Sequence, residues 1–160
     1  TFSEEVFTGL GSADIVRIEG PRGDFVLNET STRPLIFIAC GGGFAPIKSL
    51  IEHAMALDVA ETLQLYWMAD GKTGHYLNNL CRSWADALDN FRYIPETAEG
   101  DLTQGAAIRD VLERVLPAQA ELAAHDVYVA GHGTFADEAE YLLRDRGLPP
   151  SQLAVNRLPA

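Results

Sequence analysis

Two stretches of this chain place glycine where it interrupts apolar sequence: CGGGFAP at residues 40–46 and GHGTF at residues 131–135. Glycines in series weaken a chain unless the backbone must turn at positive φ or lie against something with no Cβ between. Each stretch follows a β-branched run and precedes a helical pattern, so each reads as a strand end, a glycine loop and a helix N-terminus. The free N–H groups and positive dipole end found there suit a phosphate. One glycine triplet alone fits a tight strand-to-helix turn equally well; the second loop favours the phosphate reading.

Other residues able to do chemistry are fewer. Asp70 follows the apolar run LQLYWMA and has two open readings: acceptor for a ribose hydroxyl, or cap of the turn in ADGKTG. His132 lies inside the second glycine loop, but with no adjacent nucleophile or orienting carboxylate it supports no hydrolytic site. Ser49 has no paired base, and His53 reads as a helix-surface or partnered residue. Cys40 precedes the first loop, where a helix N-terminus can activate a thiol. As the last residue of a buried strand it reads instead as a small core residue. Cys40 and Cys81, the only cysteines, lack CxxC spacing and a nearby His pair, so neither a disulfide nor a metal site is expected, and a reducing, cytoplasmic setting is. Trp67 and Trp84 read as core or interdomain packing.

The elements that must hold these residues alternate in type. LIFIA (35–39), LQLYWMA (63–69), FRYIP (91–95), DVYVAGHG (126–133) and LAVNRL (153–158) read as five strands. Between them, helical spacing appears over 46–57 with Pro46 in the first turn, over Tyr76 to Leu88, over Gln104 to Ala124 with a break or bend at Pro117, and over Phe135 to Arg146, stopped by Gly147. That alternation predicts an α/β fold with a doubly wound parallel sheet. Ahead of it, IVRIEGPRGDFVL (15–27) alternates around a Gly-Pro-Arg-Gly turn and predicts two short antiparallel strands.

Composition narrows the function. At 160 residues the chain is about one domain, able to bury roughly two thirds of its unfolded surface. With 23 acidic and 12 basic side chains, a formal net charge of -11 and no Lys/Arg cluster, it would repel a nucleic-acid backbone. No apolar run approaches the ~20 residues of a membrane-spanning helix. The start at Thr1 in loop-like sequence reads as a fragment or a processed chain.

GPRGDFVL, PLIFIACGGGFAPIKSLIEHA, LQLYWMADGKTGHYL, HDVYVAGHG and LLRDRGLPPSQL, in this order and spacing, resemble the NAD(P)H-binding half of the ferredoxin-NADP reductase family, in particular bacterial NADH-dependent reductases of oxygenases and CDP-deoxyglucoseen reductases. The resemblance runs over essentially the whole chain. It implies a five-stranded parallel NAD(P)H domain over residues 31–160, preceded over 1–30 by the last part of an antiparallel flavin-binding barrel. The implied chemistry is hydride transfer from NADH to FAD, then electron transfer to an iron-sulfur centre or oxygenase. Implied partners are the upstream flavin barrel and a two-iron ferredoxin domain or subunit. The family's Gly-Gly-Thr-Gly-x-Ala-Pro loop corresponds to Cys40 through Pro46, which implies that Gly41, Gly42, Gly43, Phe44, Ala45 and Pro46 shape a pyrophosphate site. Gly131, His132, Gly133, Thr134 and Phe135 would form the nicotinamide wall, Ser3 would be a hydroxyl on the flavin phosphates, and His75 and Tyr76 would pack beside the adenosine. Asp70 stands where many relatives carry Arg, which implies NADH over NADPH.

The sequence also departs from the family. Ala130 replaces a Cys near the nicotinamide, Asn156-Arg157-Leu158 replaces a terminal Asp-x-Phe, and the Arg-x-Tyr-Ser flavin motif does not occur. Ala130, Asn156 and Gly42, the last in place of the family's Thr, favour an alternative: a non-catalytic nucleotide-binding or docking module with the same fold.

Overall fold

The computed structural model describes residues 4–17, 19–20, 23–72, 74–116 and 122–159. Its centre is a five-stranded, wholly parallel sheet in the order β3-β2-β1-β4-β5. The strands are β1 (Leu35–Cys40), β2 (Leu63–Asp70), β3 (Phe91–Ala98), β4 (Asp126–His132) and β5 (Leu153–Leu158). The helices between them are α1 (Phe44–Leu57), α2 (Asn78–Ala87), α3 (Gly105–Val115) and α4 (Gly133–Asp145).

A strand covered on both faces must be apolar at every position rather than at alternate ones. β1 meets that demand, with all six residues buried. Leu35, Phe37 and Ala39 point into one core with Ile47, Ile51 and Leu65, beneath α1 and α2. Ile36, Ile38 and Cys40 point into the other, with Ile108, Leu112, Phe135 and Leu143 of α3 and α4. Each fully buried large apolar side chain contributes about 1.5–3 kcal/mol relative to exposure, so two continuous cores hold the sheet between its helix layers. The chain winds outward from β1 to β2 and β3, then crosses back to β4 and β5. Neighbouring connections therefore diverge between β1 and β4, which opens a crevice at the carboxyl ends of those strands.

Helices α1 and α2 differ from the sequence expectation by two residues or fewer at their ends, and four other differences have a physical reason. Residues 15–17, 19–20 and 23–27 form no strand, and Pro21 and Arg22, the tip of the expected turn, lie outside the described residues. An isolated two-stranded ribbon is marginal in water, and Ile15 and Phe7 are 100% and 85% exposed, so nothing here pays the cost of ordering it. What anchors this segment is Leu27 in the core, Phe25 edge-on to Tyr128, and Asn28 N–H donating to the Tyr128 hydroxyl at 2.9 Å. β3 runs three residues past Pro95, because β3 is an edge strand on which a missing N–H is tolerated. α3 ends at Val115, with Leu116 already extended, and the expected bend at Pro117 lies outside the described residues. α4 begins at Gly133 rather than Phe135, since the His132 ring accepts from Phe135 N–H and caps the first turn.

Candidate functional site

The two glycine loops meet at the crevice, and each glycine has its own physical reason. Gly41 has φ +52°, a conformation that a Cβ disfavours. Gly43 is fixed by proximity: a Cβ there would lie 2.1 Å from the Ala130 carbonyl oxygen and 2.8 Å from Gly131 N. Gly131 is crowded in return, its Cβ direction leading to Phe135 at 2.7 Å and Cys40 at 3.1 Å. Gly42 has neither constraint: its φ is not positive, and nothing lies within 4 Å of where its Cβ would be. The first loop therefore lies against the end of β4 and turns Gly42 outward.

Outside Gly42 lies a cavity of about 260 Å³ lined by Cys40, Gly41, Gly42, Gly43, Asp70, Asp101, Leu102, Thr103, His132, Leu158 and Pro159. The carboxyl ends of all five strands converge on it: the loops after β1 and β3, the last residues of β2 and β4, and the end of β5. Residues 41–43 form a tight 3-10 turn that runs directly into α1, with no acidic residue in the first turn of either. A helix leaves its first N–H groups without intrahelical acceptors, so this floor offers donors and a partial positive charge. A phosphate fits such a floor, and the open Gly42 gives it close approach.

The opposite wall is acidic. Asp70 Oδ1 accepts from Lys72 N–H at 3.0 Å, so Asp70 caps its turn while also lining the cavity. Asp101 accepts from both the backbone N–H and the hydroxyl of Thr103 at 2.8 Å, and the backbone bond foremost holds its carboxyl below the ordinary range. The rim is braced from β5: Arg157 donates to Asp137 at 2.8 Å and to Glu140 of α4, which seats Leu158 and Pro159.

Of the residues the resemblance assigns to cofactor binding, Gly41, Gly42, Gly43, Asp70 and His132 come together here. The others do not line this cavity. Ala45 is exposed, and Pro46 lies in a separate groove with Phe25, Ser49 and Asn156. Phe44 and Phe135 are fully buried, and Gly131 is packed beneath Phe135. Thr134 faces a groove shared with Arg109, Glu138 and Tyr141. Gly133 has open space beside it, and Ser3 lies outside the described residues. His75 and Tyr76 sit against Trp67 on the α1 side. Cys40 lines the cavity but is no nucleophile, because burial, aided by the charge of Asp70, pushes its thiol up to about 12. His53 pairs with Glu29 at 2.8 Å on the surface, as a helix-surface residue should. Asp101 and Thr103 are what the sequence reading missed. Their signal was the Asp-x-Thr pattern of an Asx turn just before a helix, at the carboxyl end of the third strand.

Among the described residues no cluster of His, Cys, Asp or Glu can hold a metal, and no helix is long and apolar enough to cross a membrane.

Comparison with known proteins fits this geometry. A family model described as "Oxidoreductase NAD-binding domain" matches residues 37–140. The CDP-6-deoxy-L-threo-D-glycero-4-hexulose-3-dehydrase reductase of Yersinia pestis is 32% identical over 131 residues, covering 81% of this chain and 39% of that protein. Reductase component 1 of the terephthalate 1,2-dioxygenase of a Comamonas species is 31% identical over 140 residues, covering 87% and 42%. The crystal structure of the Amycolatopsis cytochrome P450 reductase GcoB superposes with a TM-score of 0.73 at 20% identity, over 97% of this chain and 47% of that one. The chain thus spans about two fifths of the length of these curated relatives. With its strand order, its paired glycine loops and this match over most of its length, the chain belongs to the oxidoreductase NAD-binding domain family.

Proposed function

We propose that this domain binds NADH at the carboxyl edge of β1 and β4 and presents it to FAD held by another part of the same protein. The observation that carries the reading is the single cavity joining the open Gly42, the α1 N-terminus, Asp70 and His132. In this reading the pyrophosphate rests on the Gly41–Gly43 backbone, a ribose hydroxyl donates to Asp70, and the second glycine loop borders the nicotinamide. When bound, the dinucleotide supplies a hydride for a flavin to accept. This chain's part is to bind, to orient and to keep backbone donors aimed at the phosphates.

Two further features support a shared site. The cavity of about 260 Å³ is smaller than the ~300–1,000 Å³ that encloses a whole ligand, which suits a domain holding only part of a dinucleotide. Phe7, Ile15 and Val26 are exposed apolar residues in the segment before β1. A flavin-binding barrel packed on that segment, with residues 1–30 as its last part and 31–160 as the NADH domain, would cover them. By analogy with the reductase components among its relatives, the electrons pass on to an iron-sulfur centre or an oxygenase.

The acidic wall supports NADH over NADPH. At an effective dielectric of 20, two unit charges ~4 Å apart interact by about 4 kcal/mol, and a third of that is tenfold in affinity. Asp70 and Asp101 both disfavour a 2′-phosphate, with Lys72 as partial compensation.

The test is titration of the chain with NADH and NADPH by calorimetry, beside Gly42→Asp. The expected result is saturable NADH binding that exceeds NADPH binding about tenfold and is lost in the variant. Equal binding by wild type and variant would remove the dinucleotide from this loop. A second reading, a nucleotide-binding module without turnover, draws on Ala130, which is fully buried where the resembled family carries a thiol. NADH-driven bleaching of the flavin in the whole protein would exclude it.

A further inference from the structure

One fully buried side chain touches the glycine loop from behind. Trp67, 0% exposed in β2, donates its indole Nε1–H to the Gly41 carbonyl at 3.2 Å. Its ring stacks on Phe44, the first residue of α1, at 4.0 Å between centroids and 17° between planes. The indole is itself fixed: Tyr76 and His75 pack edge-on at 5.1 and 5.0 Å, and His75 Nε2 lies 2.8 Å from the Trp67 carbonyl. One side chain thus grips the loop at both ends, by a hydrogen bond before Gly42 and by stacking after Gly43.

The consequence follows from peptide geometry. In a planar trans peptide the C=O of one residue and the N–H of the next point in opposite directions. Holding the Gly41 carbonyl toward Trp67 therefore turns the Gly42 N–H away from it. The Phe44 N–H also donates to the Gly41 carbonyl within the turn, so two donors oppose a flip; between two glycines nothing steric does, and with the indole bond lost the plane is freer to turn over and present a carbonyl oxygen where a donor stood. We propose that Trp67 is a positioning residue for anion binding: its indole N–H locks the Gly41–Gly42 peptide so that the Gly42 N–H faces the pyrophosphate. The proposal rests on the nucleotide reading of this loop and adds a determinant outside the glycine run.

Trp67→Phe keeps an aromatic ring against Phe44 and removes three buried ring atoms, the donor among them, a loss of packing that adenosine binding controls for. Titration of the chain with ADP-ribose and with adenosine separates the roles. The expected result is a three- to tenfold loss of ADP-ribose affinity, about the worth of one hydrogen bond, with adenosine affinity unchanged. A folded Trp67→Phe chain that binds ADP-ribose as the wild type does would overturn the proposal, as would equal losses for both ligands. Should the variant fail to fold, the wild type still decides. Its Trp67 indole N–H resonance must shift on saturation with ADP-ribose and stay put with adenosine, and a resonance indifferent to both sinks the idea. Gly42→Asp keeps the two claims apart. Wild-type ADP-ribose binding that Gly42→Asp abolishes and Trp67→Phe leaves alone overturns only the role of Trp67. No ADP-ribose binding at all overturns the nucleotide reading and this inference with it.

Discussion

The two glycine loops look alike in sequence and differ in what each glycine is for. In Gly41–Gly43 the three residues divide the labour: one supplies a positive φ, one faces open space, one lets β4 approach to contact distance. In Gly131–Gly133 the first is pinned between Phe135 and Cys40, the last has open space, and the residue between them is a histidine that caps α4. The first loop is shaped to leave a donor-lined floor free; the second is shaped to pack against it. A shared composition therefore hides one loop that opens its backbone to the cavity and one that packs against it and reaches the cavity only through His132.

Substitution can break or sharpen that contrast. Gly43→Ala should do the most damage, because its Cβ would meet the Ala130 backbone, which cannot swing aside. A loss of about 3 kcal/mol, or roughly 6–12 °C in thermal midpoint, is expected in a melting experiment. Gly131→Ala should cost about 1.5 kcal/mol by urea denaturation, since Phe135 and Cys40 are side chains able to shift by tenths of an ångström. Gly41→Ala is unhindered but strained at φ +52°, and about 1 kcal/mol is expected from the same measurement. Gly42→Ala should change stability by less than about 0.5 kcal/mol. A cost at Gly42 matching that at Gly43 would mean the loop is closed on itself and the assigned division is wrong.

Much of this was readable beforehand. The wholly apolar run of β1 could only be a strand covered on both faces, and the alternation of such runs with helical spacing gave the sheet. The loop positions followed, and with them Gly41–Gly43, Asp70 and His132. What stayed hidden is nonlocal. Nothing near Gly43 announces that Ala130 will lie against it, nor does Trp67 reveal which carbonyl its indole reaches. Asp101 carries no periodic signal and gains meaning only when β3 is placed beside β2. The alternation over 15–27 is strand-like, yet a ladder needs a partner strand, and the described residues of that segment form no strand. Pro95 was read as a strand end because edge position, which excuses it, is a property of the sheet.

The central pairing of β1 with β4 carries a cost in time during synthesis. Asn28 and Tyr128, bonded in the finished domain, are 100 positions apart, and β1 meets β4 across a similar distance. At the pace of a ribosome, β1 waits on the order of ten seconds for its inner neighbour. Through that interval Leu35–Cys40 is a six-residue apolar strand without charge or proline, the kind of segment that pairs with copies of itself. Early docking of β2 on β1 shields one edge, while the other stays open until the last third of the chain emerges. The same crossover that opens a crevice for a ligand thus leaves the nascent chain with an unprotected edge, and yield on expression should be more sensitive to β1 and β4 than to either outer strand.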